Sequence, residues 1–351
     1  MYKVGFFMEH KDDSGLFFAC DRQKTVESLG KETLLEMLNE MLSIRHFESR
    51  AEICYQQGKI GGFLHLYIGQ EAIQTAALRA LGPNHWYAAT YRCHGLALLL
   101  KETPLSLMAE LFGKATGNAK GRGGSMHFYS DRLLGGFGIV GGQLAIGTGA
   151  ALTSKYLQKK DEIAVTFFGD GATAQGTVHE SFNLAAMWEL PCLYVMENNN
   201  WSMGTPLHRT LANYERLPEE LSKAYDMKFM RLDGMDIINC YAGFKEALQY
   251  ILSEGKPLFV ECRADRFRGH AISDPALYRT KEELKKCMDR DPILLLKNLL
   301  IEQGWLTEGA FQQMDEEMRE QMAAIAKAAD NEPWPEMNDL EQGVLAPAKG
   351  N

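Results

Sequence analysis

Asp170 and Asn199 are oxygen donors whose chain context would bring them together. A carboxylate and a carboxamide at one sheet edge, beside the backbone carbonyls of a turning loop, suit a hard divalent cation that takes oxygen ligands in an octahedron, Mg²⁺ above all. Mg²⁺ rarely fills its shell from protein alone and completes it with phosphate oxygens. The pair therefore implies a phosphorylated ligand lying over a positive helix N-terminus. A lone Gly-Asp-Gly is also what an ordinary solvated turn looks like. The Asn-Asn that follows a second buried strand separates the two readings.

The elements that must position this pair are legible around it. Ile163 to Phe168 is a charge-free, mostly β-branched or aromatic run entering Gly169-Asp170-Gly171, the pattern of a buried parallel strand ending in a tight turn. Thr173 to Leu190 carries Val178, Phe182, Ala185 and Ala186 at helical spacing and closes at Pro191, before a second apolar strand over Cys192 to Met196. A βαβ crossover is right-handed, so both strands run parallel and both carboxyl ends open on one edge.

The flanking chain extends the pattern. Leu34, Met37, Leu38, Met41 and Ile44 mark one face of a long helix, and a glycine-containing loop around His65 leads to a helix over Ala72 to Leu81. Trp86 to Thr90 is a short strand ending in Tyr91-Arg92, where a guanidinium could offer planar donors to phosphate. Lys120 to Gly142 is too glycine-rich for a regular element and too apolar for a solvated linker, so it is expected to wrap a ligand. Its Gly136 to Gly141 fits the dinucleotide fingerprint, with Gln143 to Leu157 as a following helix. The match is set aside because no strand precedes it and no acidic residue closes the next strand at the required distance.

Met227 to Leu232 and Leu258 to Arg263 read as further strands around a helix over Ile237 to Glu254, which makes a doubly wound α/β sheet. The second of these strands feeds a polar loop, Phe267 to Pro275, that looks mobile. Amphipathic helices are expected over Asp289 to Gly304 and Glu308 to Ala329. The organisation is an arm over 1–30, one domain over 31–330 and a tail over 331–351.

Composition bounds the function. A formal net charge of -9 with no basic cluster argues against a nucleic-acid surface, and no apolar run is long enough to span a membrane. Seven cysteines, scattered and without zinc or redox spacing, fit a reducing compartment, which places the expected location in the cytoplasm.

The stretch GDGATAQGTVHESFNLAAMWELPCLYVMENNNWSMGT contains the diphosphate-and-magnesium motif of thiamine-diphosphate enzymes. It closely resembles the α subunit of the decarboxylating component of pyruvate dehydrogenase complexes, within the 2-oxo acid dehydrogenase family, and the resemblance extends from about Leu34 to Asp330. It implies a three-layer α/β sandwich with a mostly parallel sheet, the thiamine diphosphate-binding fold. It also implies thiamine diphosphate and Mg²⁺, the metal held by Asp170, Asn199 and the carbonyl of Trp201, where the family usually has tyrosine. Tyr91, Arg92, Ser130, Gly138, Val140, Gly171, Ala172, Met203 and His270 match cofactor-contacting positions. His65 and His270 match the catalytic histidines, which transfer protons and hold the substrate or lipoyl group. From residue type alone, His65 could equally be a structural histidine, Arg92 a surface arginine and Met203 a core residue.

The activity so implied is decarboxylation of pyruvate and transfer of the acetyl fragment to the lipoyl domain of a dihydrolipoyl acyltransferase. Part of the site would come from a β subunit, in a heterotetramer of two α and two β chains. An acetoin or branched-chain 2-oxo acid dehydrogenase α subunit shares the same cofactor residues, and Ser273-Asp274-Pro275 leans towards pyruvate. A nicotinamide oxidoreductase built on the glycine-rich loop is the alternative from another class.

Overall fold

The computed structural model describes residues 17–340. Eight strands are present among them: β1 (Trp86–Thr90), β2 (Leu133–Phe137), β3 (Ala164–Gly169), β4 (Cys192–Asn198), β5 (Trp201–Ser202), β6 (Thr205–Pro206), β7 (Lys228–Asp233) and β8 (Leu258–Arg263). β5 and β6 form a small antiparallel hairpin; the other six make one sheet in the order β2-β1-β3-β4-β8-β7. Every neighbouring pair in that sheet is parallel, as expected from strands alternating with helices. β1 has β2 on one side and β3 on the other, so the chain order reverses there, and in open α/β sheets such a switch point opens a crevice at the carboxyl ends.

Alternation along the central strands explains the layers. Val165, Phe167, Leu193, Val195, Leu258 and Val260 face one side, while Ala164, Phe168, Cys192, Tyr194, Met196 and Phe259 face the other. The first set packs beneath α1 (Arg22–Gln56), α2 (Glu71–Leu81), α3 (His94–Leu99), α4 (Pro104–Leu111), α8 (Ile237–Glu254), α10 (Pro292–Glu302) and α11 (Glu308–Asp330). The second set packs beneath α5 (Gly142–Tyr156), α6 (Gly176–Met187) and α7 (Leu217–Ala224), and α9 (Lys281–Met288) buries no residue. Helices on both faces of a parallel sheet make the expected three-layer sandwich. Gly147 sets the closeness of α5, because a Cβ there would lie 1.9 Å from the Thr166 hydroxyl of β3.

Three details differ from the sequence reading. Residues 133–137 form β2, a regular strand inside the glycine-rich stretch, so a strand does precede Gly138 and a helix, α5, does follow it. Glycine is needed there because a Cβ on Gly136 would sit 2.3 Å from the Met126 carbonyl oxygen and 2.5 Å from Cys93 Sγ. The turn after β3 is a 3₁₀ segment, Asp170–Ala174, closed by the Thr173 hydroxyl donating to the Asp170 carbonyl at 2.6 Å, and α6 starts only at Gly176. Finally, α1 begins at Arg22 and kinks at Gly30 (φ 70°), with Val26 and Leu29 in the core, so this part of the expected arm is helical. The remaining residues of the arm and tail, 1–16 and 341–351, lie outside the described residues.

Candidate active site

Five parallel strands deliver their carboxyl ends to one cavity at the switch point. β1 contributes Thr90, Tyr91 and Arg92; β2 leads to Phe137, Val140 and Gly141; and β3 leads to Gly169 through Ala172. β4 contributes Glu197 and Asn199, the β5–β6 hairpin Trp201 to Met203, and the loop after β8 Arg266 and His270. In the register of β3 and β4, Gly169 lies opposite Glu197, which sets Asp170 and Asn199 just beyond the paired ends, as the crossover rule requires.

Asp170 is buried and half satisfied. Its Oδ1 accepts the Gly171 N–H at 2.8 Å, and its Oδ2 has no partner among the described residues. Burial pushes its carboxyl up to about 7, against the Gly171 N–H and the Arg266 guanidinium, which favour the ion. Asn199 accepts the Trp201 N–H on Oδ1 at 3.3 Å and donates Nδ2 to Gln70 Oε1 at 3.0 Å. Met203 occupies the hairpin tip with φ 58°, is exposed, and lines the cavity; its carbonyl accepts from Arg266 Nη2 at 3.2 Å. The Trp201 ring stands on Tyr278, centroids 4.6 Å apart.

Two buried guanidiniums supply positive charge. Arg92 donates to the Leu66 and His270 carbonyls, each at 2.6 Å, and burial, then Arg266, lower its pKa to about 10. Arg266 donates to the Arg268 carbonyl at 3.1 Å and the Tyr278 hydroxyl at 3.0 Å. Among the described residues neither is ion-paired with a carboxylate, so the cavity suits an anionic ligand.

The two histidines meet although their loops are far apart in sequence. His65 lies 4.3 Å from the Tyr91 ring and 5.0 Å from the His270 ring, centroid to centroid. Nδ1 of each is buried without a partner among the described residues. Burial first, then the Arg92 guanidinium, lower His65 to about 3 and His270 to about 4, so both imidazoles are neutral near pH 7. His270 is fixed by its backbone N–H, which donates to Asp274 Oδ2 at 2.6 Å.

Tyr91, Arg92, Val140, Asp170, Gly171, Ala172, Asn199, Trp201, Met203 and His270 all line the cavity. His65 packs against the rings of Tyr91 and His270 and is not itself a wall residue. Gly138 faces the His127 ring, and Ser130 stands before the amino-terminal end of β2, its hydroxyl accepting the Leu133 N–H at 3.0 Å; neither reaches the wall. Glu197, Gln70 and Gln143 are wall residues that the sequence reading passed over. Glu197 was adjacent to the Asn-Asn signal. Its carboxyl is pushed up to about 7 by burial, partly offset by the Tyr67 hydroxyl that donates to it.

The donors fit a diphosphate held through a cation. Asp170 Oδ2 is an orphaned buried anion, and among the described residues no cluster of three or more His, Cys, Asp or Glu could hold a metal alone. A cation here must borrow oxygens from its ligand.

The family model described as "Dehydrogenase E1 component" matches residues 39–338. The chain is 39% identical over 312 residues to a protein of Rickettsia felis named "Pyruvate dehydrogenase E1 component subunit alpha", covering 88% of this chain and 95% of the relative. Relatives of the same name are 40% identical in Rhizobium meliloti, over 92% of each chain, and 38% identical in Zymomonas mobilis, over 90% of this chain and 89% of the relative. The chain belongs to the dehydrogenase E1 component family, whose enzymes are thiamine-diphosphate-dependent 2-oxo acid dehydrogenases.

Proposed function

Starting from that membership, we propose that this chain is the α subunit of a pyruvate dehydrogenase first component. In this reading it acts with a β subunit and passes the acetyl fragment to the lipoyl domain of an acyltransferase. The observation that carries the reading is the orphaned Asp170 Oδ2 beside Asn199, in a cavity also lined by two buried guanidiniums. Asp170, Asn199 and the Trp201 carbonyl would hold Mg²⁺, which would bridge the chain to the ligand's phosphate oxygens. Bound thiamine diphosphate supplies the carbon nucleophile for the 2-oxo carbonyl and a sink for the electron pair freed with CO₂. Arg92 and Arg266 contribute fixed positive charge to the anionic end of the ligand, and Met203 presents an apolar support. Neutral His65 and His270 are poised to hold or move a proton at the face they share with Tyr91.

Outward apolar side chains on α5, on α6 and at the C-cap of α6, Ile146, Tyr156, Met187 and Trp188, support a protein partner across that layer. All seven cysteines are free, in keeping with the reducing cytoplasm proposed for it. No helix among the described residues is long and apolar enough to cross a membrane. The test is co-purification with the β chain, then decarboxylation assays with pyruvate, acetoin and branched-chain 2-oxo acids. Pyruvate is expected to be turned over fastest, with strict need for thiamine diphosphate and Mg²⁺. Faster turnover of another acid would replace the substrate, and activity without the cofactor would remove the site assignment.

A further inference from the structure

A carboxamide presents an oxygen on one side and a nitrogen on the other, and a hard cation accepts only the oxygen. Some neighbour must therefore choose which end of Asn199 faces the metal position. Two neighbours do so: the Trp201 N–H, which donates to Oδ1 at 3.3 Å, and Gln70, at the N-terminal end of α2, 1% exposed and on the cavity wall. Its Oε1 accepts from Asn199 Nδ2 at 3.0 Å, which ties up the nitrogen and leaves Oδ1 as the end available to a cation. The other end of Gln70, Nε2, is buried and has no partner among the described residues. An unmade hydrogen bond at a buried amide costs about 1–3 kcal/mol, so this donor is matched to an acceptor that the described residues do not provide.

Gln70 is held too firmly to be an incidental neighbour. Its backbone N–H donates to the Tyr67 carbonyl at 3.1 Å, and the preceding Gly69 donates to Glu71 Oε2 at 3.0 Å. Glu71 is in turn paired with Arg45, which also binds Asp291. Gly69 has φ 103° and lies so close to the β8 loop that a Cβ would sit 2.4 Å from the Asp265 carbonyl oxygen, and the Phe267 N–H donates to the Ile68 carbonyl at 3.0 Å. A side chain at residue 69 would displace that loop, so the backbone path that carries Gln70 to the wall depends on glycine there.

We infer that Gln70 is a positioning residue of the cation and diphosphate site: its Oε1 orients Asn199 so that oxygen meets the metal, and its Nε2 donates to an oxygen of the bound diphosphate. The inference rests on the metal reading of Asp170 and Asn199. Its two halves predict different behaviour from two substitutions. Gln70→Met loses both interactions, whereas Gln70→Glu keeps an oxygen for Asn199 Nδ2 but loses the donor and adds negative charge beside the diphosphate.

Both variants, with Asp170→Ala as the control, are assembled with the β chain. Calorimetry then measures the Mg²⁺ needed for half-saturation at fixed thiamine diphosphate, and the thiamine diphosphate affinity at saturating Mg²⁺. Gln70→Met is expected to raise the Mg²⁺ requirement on the order of tenfold to 100-fold, the range for groups that orient metal ligands, with the cofactor-free melting temperature unchanged or higher. Gln70→Glu is expected to keep the Mg²⁺ requirement within about threefold of wild type while thiamine diphosphate binds about tenfold more weakly. Wild-type binding in Gln70→Met, or an equal loss of metal affinity in both variants, overturns the proposal provided Asp170→Ala abolishes binding. If Asp170→Ala also binds normally, it is the metal reading that fails, and the inference with it.

Discussion

Two buried polar sets in this molecule are treated oppositely. Beneath α1, one set is answered within the chain: Glu48 accepts the Tyr67 N–H at 2.9 Å and meets His94 Nδ1 at 2.9 Å, and His94 Nε2 reaches the Ser125 carbonyl at 2.8 Å. Burial alone would lower His94, but the Glu48 carboxylate more than offsets it and the net shift is upward. At the carboxyl edge of the sheet, Asp170 Oδ2, Gln70 Nε2 and Nδ1 of His65 and His270 all lack partners, and the imidazoles are driven neutral. The α1 set is fully buried and the cavity set somewhat less so, yet it is the more buried set that is answered, so burial alone does not account for the orphaned groups. The difference is whether the complement lies in the same chain, and a region of missing complements is where a ligand belongs.

Breaking a satisfied set should have the largest effect on the fold. Glu48→Ala leaves His94 and the Tyr67 N–H unanswered in the core and is expected to lower unfolding free energy by about 3–5 kcal/mol, read by denaturant titration. A loss below about 1 kcal/mol, the size of an exposed pair, would erase the contrast between the regions.

The converse holds at the cavity. Asp170→Asn removes an anion that the empty site disfavours, so the cofactor-free protein should be as stable as wild type or more so. Its Mg²⁺-dependent thiamine diphosphate binding should weaken about 100-fold or more, close to 3 kcal/mol. Thermal melts with and without the cofactor separate the two effects, and a destabilised cofactor-free variant would mean that Asp170 is already satisfied.

Titration sharpens the same comparison. His65 and His270 have folded pKa values below their ordinary one, so the stability they confer is fully present above about pH 6.5. It is lost as pH falls towards 4 and 3, at up to about 1.4 kcal/mol per pH unit for each. Asp170 runs the other way, its raised carboxyl giving stability below about pH 4 that is lost as pH rises through about 7. His65→Asn should therefore lose less stability than wild type between pH 6.5 and 4. Identical pH profiles would show that His65 is solvated or paired.

The smallest effect is expected where the missing complement is apolar. Tyr156, exposed at the end of α5, can be changed to Arg with less than about 0.5 kcal/mol change in the isolated chain, yet co-purification with the β chain should fall. Unchanged assembly would take this face out of the interface.

The loop after β8 shows where a sequence reading loses its grip. Phe267 to Pro275 reads as polar and mobile, yet Asp274 accepts the His270 N–H, the Ala276 N–H at 2.9 Å and the Tyr278 hydroxyl at 2.7 Å, while Phe267 is buried. Side chains bonding to nearby backbone leave no periodic trace, so a loop built on them resembles an unstructured one in sequence.

What the sequence determined by itself was the frame of the site. The charge-free runs of β3 and β4, the Gly-Asp-Gly turn and the handedness of one crossover set Asp170 beside Asn199, because each of these depends on chain neighbours or on a rule obeyed by nearly all such units. Tertiary structure alone decided that residues 133–137 would be a strand, since the reason for Gly136 is the pressure of Cys93 and Met126 rather than any local turn. It alone also brought Gln70, His65 and Arg266 to the cleft. The loops that carry them meet where the Phe267 N–H finds the Ile68 carbonyl, nearly two hundred residues away along the chain. Hydrophobic periodicity reports the face an element buries against the core, and it carries no information about which irregular loop will lie against which other.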